Sequence, residues 1–174
     1  MSTEVETKAH EAEIQDPAMK RACEKVSEFQ KRIGVQKLTR LADVGIVTRR
    51  CLESMAFQLH RINKELKDEY KYEKSSVVLR LELMTEELAE AFDAMIAGDE
   101  LQLLDALADL CYVVIGTATT FSLPLPEAFD EVHRSNMTKG AAAHDHAGDK
   151  GKGAGFSPAN LKPILEAARA RTQE

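Results

Sequence analysis

Two long stretches of helically spaced apolar residues, separated only by Gly98 and Asp99, constrain this fold more than any other feature of the chain. Leu, Met and Ala recur at spacings of three and four up to residue 97, and a second such stretch continues to residue 120. Glycine suits a helix end and aspartate suits a helix start. Because two residues suffice only for a sharp reversal, the sequence predicts two antiparallel helices packed through their Leu and Met faces.

Other segments of the chain also show helical spacing, and strand signals are absent. Helices are expected over 17–34, 46–70, 126–133 and the stretch LKPILEAARAR near the end. The sequence therefore predicts an all-α fold, a helical bundle of about five helices with a flexible N-terminal tail and a C-terminal arm. The expected divisions are a disordered tail over 1–16, a helical domain over 17–139, and a C-terminal loop with a short helix over 140–174.

The overall charge and hydropathy narrow the class of protein. The 174 residues carry a net charge of -6, which argues against a surface that coats nucleic acid. No run approaches the roughly 20 apolar residues of a membrane span, and the polar N-terminus is unlike a targeting peptide, so we expect a cytoplasmic protein that binds neither nucleic acid nor membrane. Cys23, Cys51 and Cys111 are scattered among apolar residues, and we expect them to be buried thiols rather than disulfides or zinc ligands.

The two central helices carry nine acidic residues over 82–116 and no Lys or Arg. Glu86, Glu87 and Glu90 share one helical face, and Asp105 and Asp109 share a face of the next helix. If the helices pack as predicted, these carboxylates meet, repel one another, and provide oxygen ligands for Mg²⁺ or Mn²⁺. The alternative is a solvated acidic face, but such a face usually interleaves basic residues. The remaining acids Glu82, Asp99 and Glu100 are expected to be solvated or to cap helices.

A second polar cluster occurs in HRSNMTKG, residues 133–140. Arg134, Asn136 and Lys139 are expected just past a helix end, where they suit an anion or a sugar hydroxyl. They are equally consistent with cations that stabilise a helix C-terminus. Lys150 and Lys152 lie in a Gly-rich stretch that lacks the strand and the spacing of a P-loop, so alone they are a weak signal.

Four ordered motifs resemble a known family. TEELAEA resembles the E-E-x-x-E helix of the all-α nucleoside triphosphate pyrophosphohydrolases, a family that includes MazG, the dimeric dUTPases and the phosphoribosyl-ATP pyrophosphohydrolases. DALADLCYVVIG, FDEVHRSNMTK and GDKGKGAGFSPANLKPIL resemble the segments that follow in phage-type members. The resemblance covers roughly residues 26–167, and a set of four ordered motifs is more specific than any acidic pair.

The resemblance implies hydrolysis of a nucleoside triphosphate to its monophosphate and pyrophosphate with Mg²⁺ or Mn²⁺. It implies that the metal ligands are Glu86, Glu87, Glu90 and Asp109, with Asp105 as a helper. The common family pattern is E-x-x-D on the second helix, whereas Ala106 stands three residues before Asp109, so the role of Asp105 departs from the pattern. Glu86 or Glu87 would be the catalytic base.

The resemblance also implies the substrate contacts and the assembly. Lys139, Lys150 and Lys152 would contact phosphate oxygens, and Asn136 would contact sugar or phosphate. The long C-terminal arm looks phage-like and favours (d)GTP, while dUTP or dCTP remain alternatives, as does a non-catalytic helical regulator that binds nucleotide. Family members generally form dimers or dimers of dimers, so a homodimer or homotetramer is expected.

Overall fold

The computed structural model describes residues 17–35, 41, 45–140 and 152–171, and this part of the chain contains six α-helices and no strand. The helices are α1 (Pro17–Arg32), α2 (Ile46–Tyr72), α3 (Ser76–Ala97), α4 (Glu100–Thr120), α5 (Leu125–Met137) and α6 (Lys162–Arg171). The predicted all-α fold is confirmed. The expected tail 1–16 lies outside the described residues.

The predicted reversal between α3 and α4 is confirmed in detail. Gly98 adopts a left-handed conformation with φ 72° and ψ 25°, which ends α3 at no steric cost. The Asp99 side chain accepts hydrogen bonds of 3.0 Å from the backbone N–H groups of Leu101 and Gln102, which caps α4. At the same end of the pair, Arg49 of α2 donates to the carbonyl of Ile96, one of the unpaired carbonyls of the last turn of α3.

The chain divides into two compact units, of which one comprises residues 38–125. Within it, α3 packs against both α2 and α4. The side chains buried along these helices are small, mainly Ala56, Ala89, Ala91, Ala94, Ala106 and Ala118. The expectation that α3 and α4 pack through Leu and Met stripes is therefore wrong for the exposed leucines of both helices. Alanines let the helix backbones approach closely, and Leu81 and Leu88 remain 46% and 38% exposed.

The apolar side chains of α4 are largely exposed in the single chain. Leu101, Leu104 and Leu107 are 72%, 67% and 43% exposed, since α4 packs on α3 through a different face. Contrary to the sequence expectation, α4 is long and apolar enough to cross a membrane by length and composition alone, with a mean hydropathy of 1.5. Asp105 and Asp109 near its middle would oppose insertion, because charged side chains are costly in the hydrocarbon core.

The three cysteines differ from expectation in their surroundings. Cys23, Cys51 and Cys111 are free thiols, but all three are exposed rather than buried. Helical spacing of apolar residues therefore did not indicate burial at these three positions.

The other compact unit comprises residues 1–37 and 126–174, and α5 is its central helix. On one side, Lys25 of α1 pairs with Asp130 at 2.5 Å. The segment before α6 is fastened to α5 by Arg134, which donates to the Ser157 hydroxyl and to the Pro158 carbonyl. The helix also extends to Met137 rather than ending at His133 as predicted.

Candidate functional site

The side of α3 that faces α4 carries an electrostatically coupled group of acids. Burial raises the pKa of Glu87 above its usual range, and the negative charges of Glu90, Asp109, Glu86 and Asp105 raise it further, in that order. These are the five acids that the sequence proposed as a cation site. The tertiary structure thus brings Asp105 and Asp109 of α4 within electrostatic range of the glutamates of α3.

Glu86 is turned towards α2, where it meets a lysine. Lys67 Nζ lies 2.5 Å from the Glu86 carboxylate and 3.5 Å from that of Glu82. The hydrogen bond with Glu86, ahead of the smaller influence of Glu82, raises the pKa of Lys67. The expectation that Glu82 is solvated or caps a helix is wrong, because Glu82 is buried and its charge is balanced across the helix interface.

Further polar contacts join the same faces of α2 and α3. His60 Nε2 lies 2.7 Å from the Asp93 carboxylate, and the buried Asn63 donates to the carbonyl of Glu82 at 2.8 Å. His60, Asn63 and Lys67 are spaced by three and four residues, so they share one face of α2. Sequence analysis missed these partners because it sought basic residues only within the acidic stretch. Their helical spacing on α2 was the available signal.

The acids do not form a closed metal site as they stand. Throughout the described ranges, no three His, Cys, Asp or Glu side chains lie close enough together to hold an ion. The donor set nevertheless fits a hard divalent cation, because all the groups around Glu87 are carboxylates and their mutual repulsion disfavours the ionised state of Glu87. Glu86, Glu87, Glu90 and Asp109 could hold such a cation, with Asp105 beside them.

Arg80 is a cation that sequence analysis did not single out. Its Nη1 lies against Gly116 of α4, where an added Cβ would stand 3.1 Å away. Its Nε is buried and has no hydrogen-bond partner among the residues that the structure describes. Arg80 precedes Glu87 by seven residues and therefore lies on the same side of α3, which is the signal that could have identified it.

The predicted polar cluster near residue 136 is only partly available for a ligand. Lys139 Nζ donates a hydrogen bond to Asn136 Oδ1 at 2.7 Å. The structure therefore brings these two candidates together at the C-terminal end of α5. Arg134 instead forms two 2.8 Å hydrogen bonds to Glu131, and this arginine together with the Asn160 N–H lowers the pKa of Glu131 to about 2. Arg134 therefore fastens the C-terminal arm.

The two lysines of the Gly-rich stretch are described unequally. Lys152 lies over the Phe156 ring, 5.8 Å from its centroid. Lys150 lies outside the described residues. Neither the carboxylates nor the lysines are thereby tested as ligands, and their roles stay predictions.

Comparison with known proteins gives a family for the central helices. Residues 55–136 match the family model described as phosphoribosyl-ATP pyrophosphohydrolase. The matched segment runs from α2 to α5 and contains all five clustered acids together with Asn136. No curated protein and no solved structure matches the chain. The family whose model residues 55–136 match belongs to the MazG-like superfamily of all-α nucleoside triphosphate pyrophosphohydrolases, and the all-α architecture and the acid-bearing helix pair agree with that match.

Proposed function

We propose that this protein is a divalent-metal-dependent pyrophosphohydrolase that converts a (d)NTP to the (d)NMP and pyrophosphate. The match to the phosphoribosyl-ATP pyrophosphohydrolase family supports nucleotide pyrophosphohydrolase activity in general. The observation that supports the specific assignment is the raised pKa of Glu87, caused by burial and by four neighbouring carboxylates. A group of acids with this much unrelieved repulsion suits Mg²⁺ or Mn²⁺.

The proposed roles of the acids follow from their surroundings. Glu90, Asp109 and Glu86 hold the cation with Glu87, and Asp105 adds negative charge at the edge of the group. A bound cation would supply positive charge that offsets the negative charge developing on the phosphates during hydrolysis. Of the two candidates for the base we propose Glu87, because the charged groups that perturb its pKa are all carboxylates, whereas Glu86 is paired with Lys67.

Glu86 is less suited to the role of base than Glu87. Its carboxylate is already engaged by Lys67 at 2.5 Å, and a carboxylate that accepts a hydrogen bond from an ammonium is a weaker proton acceptor. In this proposal Glu86 is a cation ligand whose position is maintained by Lys67.

Asn136 and Lys139 are proposed to bind oxygens of the triphosphate or the sugar. Their support is local: the Lys139 ammonium is held by the Asn136 amide and lies 5.9 Å from the centroid of the Phe29 ring, so its position is defined before any ligand arrives. Lys150 and Lys152 are proposed as further phosphate contacts on the strength of the family resemblance alone.

For the substrate we propose a guanine nucleotide, (d)GTP, with dUTP and dCTP as the alternatives. The matching family model carries the name of a different substrate, phosphoribosyl-ATP, so this compound belongs in the same comparison. For the assembly we propose a homodimer or homotetramer. The exposed leucines of α4 support it, because an apolar face of this extent is seldom left in water.

The decisive experiment is to incubate the purified protein with each (d)NTP and with phosphoribosyl-ATP, in Mg²⁺ or Mn²⁺, and to measure pyrophosphate and orthophosphate separately. Pyrophosphate release with (d)GTP as the preferred substrate is expected. Preference for another nucleotide would correct the substrate while retaining the reaction. Orthophosphate alone would indicate a different phosphohydrolase.

The second candidate function is a non-catalytic regulator that binds nucleotide through the same fold. It predicts nucleotide binding by calorimetry without pyrophosphate release at any metal concentration. The engagement of Glu86 by Lys67 is the observation in its favour, because it ties up one proposed ligand.

A further inference from the structure

Glu86 belongs to two groups of side chains at once. Its carboxylate lies 2.5 Å from Lys67 Nζ of α2, and its negative charge also contributes to the raised pKa of Glu87. Among residues 17–35, 41, 45–140 and 152–171, no three His, Cys, Asp or Glu side chains are gathered closely enough to hold an ion. Because an ammonium and a divalent cation repel each other, Glu86 has to leave Lys67 before it can complete a set of carboxylate ligands.

Lys67 has a second carboxylate within reach. Its Nζ lies 3.5 Å from Glu82, which precedes Glu86 by four residues and therefore shares its face of α3. The Glu82 side chain is 8% exposed, whereas that of Glu86 is 33% exposed. Since a buried carboxylate needs a balancing cation more than a half-buried one, Lys67 has a favourable place to stay when Glu86 leaves.

The backbones beside these acids are fastened together. The buried Asn63 precedes Lys67 by four residues on α2, and its side chain donates a 2.8 Å hydrogen bond to the Glu82 carbonyl. The Lys67 side chain is 44% exposed and has a flexible four-carbon stem, so it can rotate without disturbing this contact. A change of partner by Lys67 therefore requires side-chain rotation and no movement of α2 relative to α3.

The charges of the three side chains favour such a change. One ammonium lies between two carboxylates, so Lys67, Glu82 and Glu86 together carry one negative charge too many. If Lys67 keeps Glu82, that pair is neutral and the excess charge belongs entirely to Glu86. The buried carboxylate is then balanced in both arrangements, and the more exposed one becomes available.

We propose that Lys67 and Glu82 are positioning residues of the cation site: Lys67 holds Glu86 when no cation is bound, and it pairs with Glu82 alone when a divalent cation is bound. The inference rests on the proposed function, because it takes Glu86 as a cation ligand. Lys67 competes with the cation for Glu86, and Glu82 weakens that competition. Glu82 thereby acts on cation binding without being a ligand.

The first test is a calorimetric titration of the full-length protein with Mn²⁺ in the absence of nucleotide. Lys67→Met removes the competing ammonium, so Mn²⁺ should bind about two- to fivefold more tightly, the range expected for a half-exposed ion pair. The matched control is Lys71→Met, which removes an exposed lysine one turn further along α2 whose partner is Asp68 of the same helix. Its affinity should equal that of wild type. Unchanged or weaker binding by Lys67→Met, or equal tightening in both variants, would overturn the proposal.

Glu82→Gln should change the affinity in the opposite direction. Lys67 is then left with Glu86 as its carboxylate partner, and Mn²⁺ should bind about two- to fivefold more weakly although no proposed ligand is lost. In the Lys67→Met background the same substitution should have no effect, because the lysine through which Glu82 acts is gone. Equal weakening in both backgrounds would show that Glu82 acts through its own charge, which contradicts the proposal.

Lys67→Arg tests the competition without removing the positive charge that balances Glu82. An arginine can hold a carboxylate through two parallel N–H groups, so it should release Glu86 less readily than lysine does. Mn²⁺ should therefore bind more weakly than to wild type while circular dichroism shows the same helix content. An affinity equal to or above that of wild type would reject a competing role for residue 67.

A crystal structure with Mn²⁺ gives the direct measurement. Lys67 Nζ should lie within hydrogen-bond distance of Glu82 and no longer of Glu86. An ion held by the carboxylates while Lys67 stays on Glu86 would overturn the proposal.

This proposal and the proposed function fail in different measurements. If wild-type protein binds Mn²⁺ but releases no pyrophosphate, the proposed reaction is wrong, and the affinities of the variants still decide the role of Lys67. If pyrophosphate is released and all the variants bind Mn²⁺ as wild type does, only the exchange at Glu86 is overturned. Absence of Mn²⁺ binding by both wild type and Lys67→Met also overturns it.

Discussion

Acidic residues on the two sides of α3 have different neighbours. On the side towards α2, acids meet cations: Glu82 and Glu86 share Lys67, and Asp93 pairs with His60. On the side towards α4, Glu87 meets only other carboxylates, and its pKa is raised. The difference shows that one helix can carry acids that stabilise the fold beside acids that repel one another. The second kind is the leading candidate for function, and Glu86 takes part in both groups.

The comparison also changes the meaning of the acidic stretch. Within residues 82–116 alone, the nine acidic residues have no Lys or Arg to balance their negative charge. The balance for part of them lies on α2, fifteen or more residues earlier in the chain, where only the tertiary structure places it alongside. Repulsion between carboxylates is therefore concentrated at the α3–α4 interface instead of being spread over the whole of α3.

The largest expected effect is on the unpaired side. Glu87→Gln and Glu90→Gln should each lower kcat by at least about a hundredfold, because each loses a negative charge that helps to hold the proposed divalent cation. Metal binding, measured by calorimetry, should weaken in parallel. The fold should persist in circular dichroism, since removing a repelling charge does not open a cavity. Full activity in both variants would reject the assignment of these acids.

The paired side should respond mainly in stability, and in turnover only through Glu86, which Lys67 holds. Lys67→Met leaves the buried Glu82 carboxylate without its cation, and we expect a loss of about 1–2 kcal/mol of unfolding free energy in urea titrations, discounted because the ammonium is nearly half exposed. Lys67→Arg serves as the control that retains the charge. No loss in the methionine variant would show that water alone solvates Glu82.

The two sides should also differ in their dependence on pH. Because the pKa of Glu87 in the folded protein lies above its usual 4.5, the metal-free protein gains stability from protonated Glu87 at low pH. That contribution is complete below pH 4.5 and is lost as pH rises through the elevated pKa. Thermal melts of wild type and Glu87→Gln across this window should show the loss in the wild type alone. Added Mg²⁺ should oppose it at neutral pH.

The smallest expected effect concerns the exposed end of the paired side. His60 and Asp93 are each about half exposed, so His60→Asn should cost at most about 1 kcal/mol of stability. Turnover should stay within about twofold of wild type. A hundredfold loss of turnover would contradict this prediction. It would show that Asp93, the partner of His60, takes part in function although it lies on the paired side of α3.

Much of the local structure could be predicted because its causes are local. Gly98 and Asp99 determine where α3 ends and α4 begins, and both act on neighbouring backbone groups. The end of α5 was predicted four residues too early, because the polar residues after His133 gave no apolar period. Arg134 and Asn136 nonetheless continue the helix, and Arg134 is fixed there by Glu131 and the C-terminal arm.

Burial was harder to predict than helicity. Period alone suggested that leucines would fill the interface, whereas the structure buries alanines and leaves Leu101 and Leu104 exposed. Apolar residues at helical spacing indicate that one face of a helix avoids water, but they do not indicate which neighbour covers that face. The exposed cysteines were misjudged for the same reason.

The sequence by itself determined the all-α class, the reversal at Gly98 and Asp99, and the set of five acids on two adjacent helices, because helical spacing and capping act within a few residues. The tertiary structure decided which acids are paired, through Lys67 and His60 of α2, and placed Arg80 unpaired beside Gly116. Charges interact through space and not along the chain, so their partners become known only when the helices are assembled.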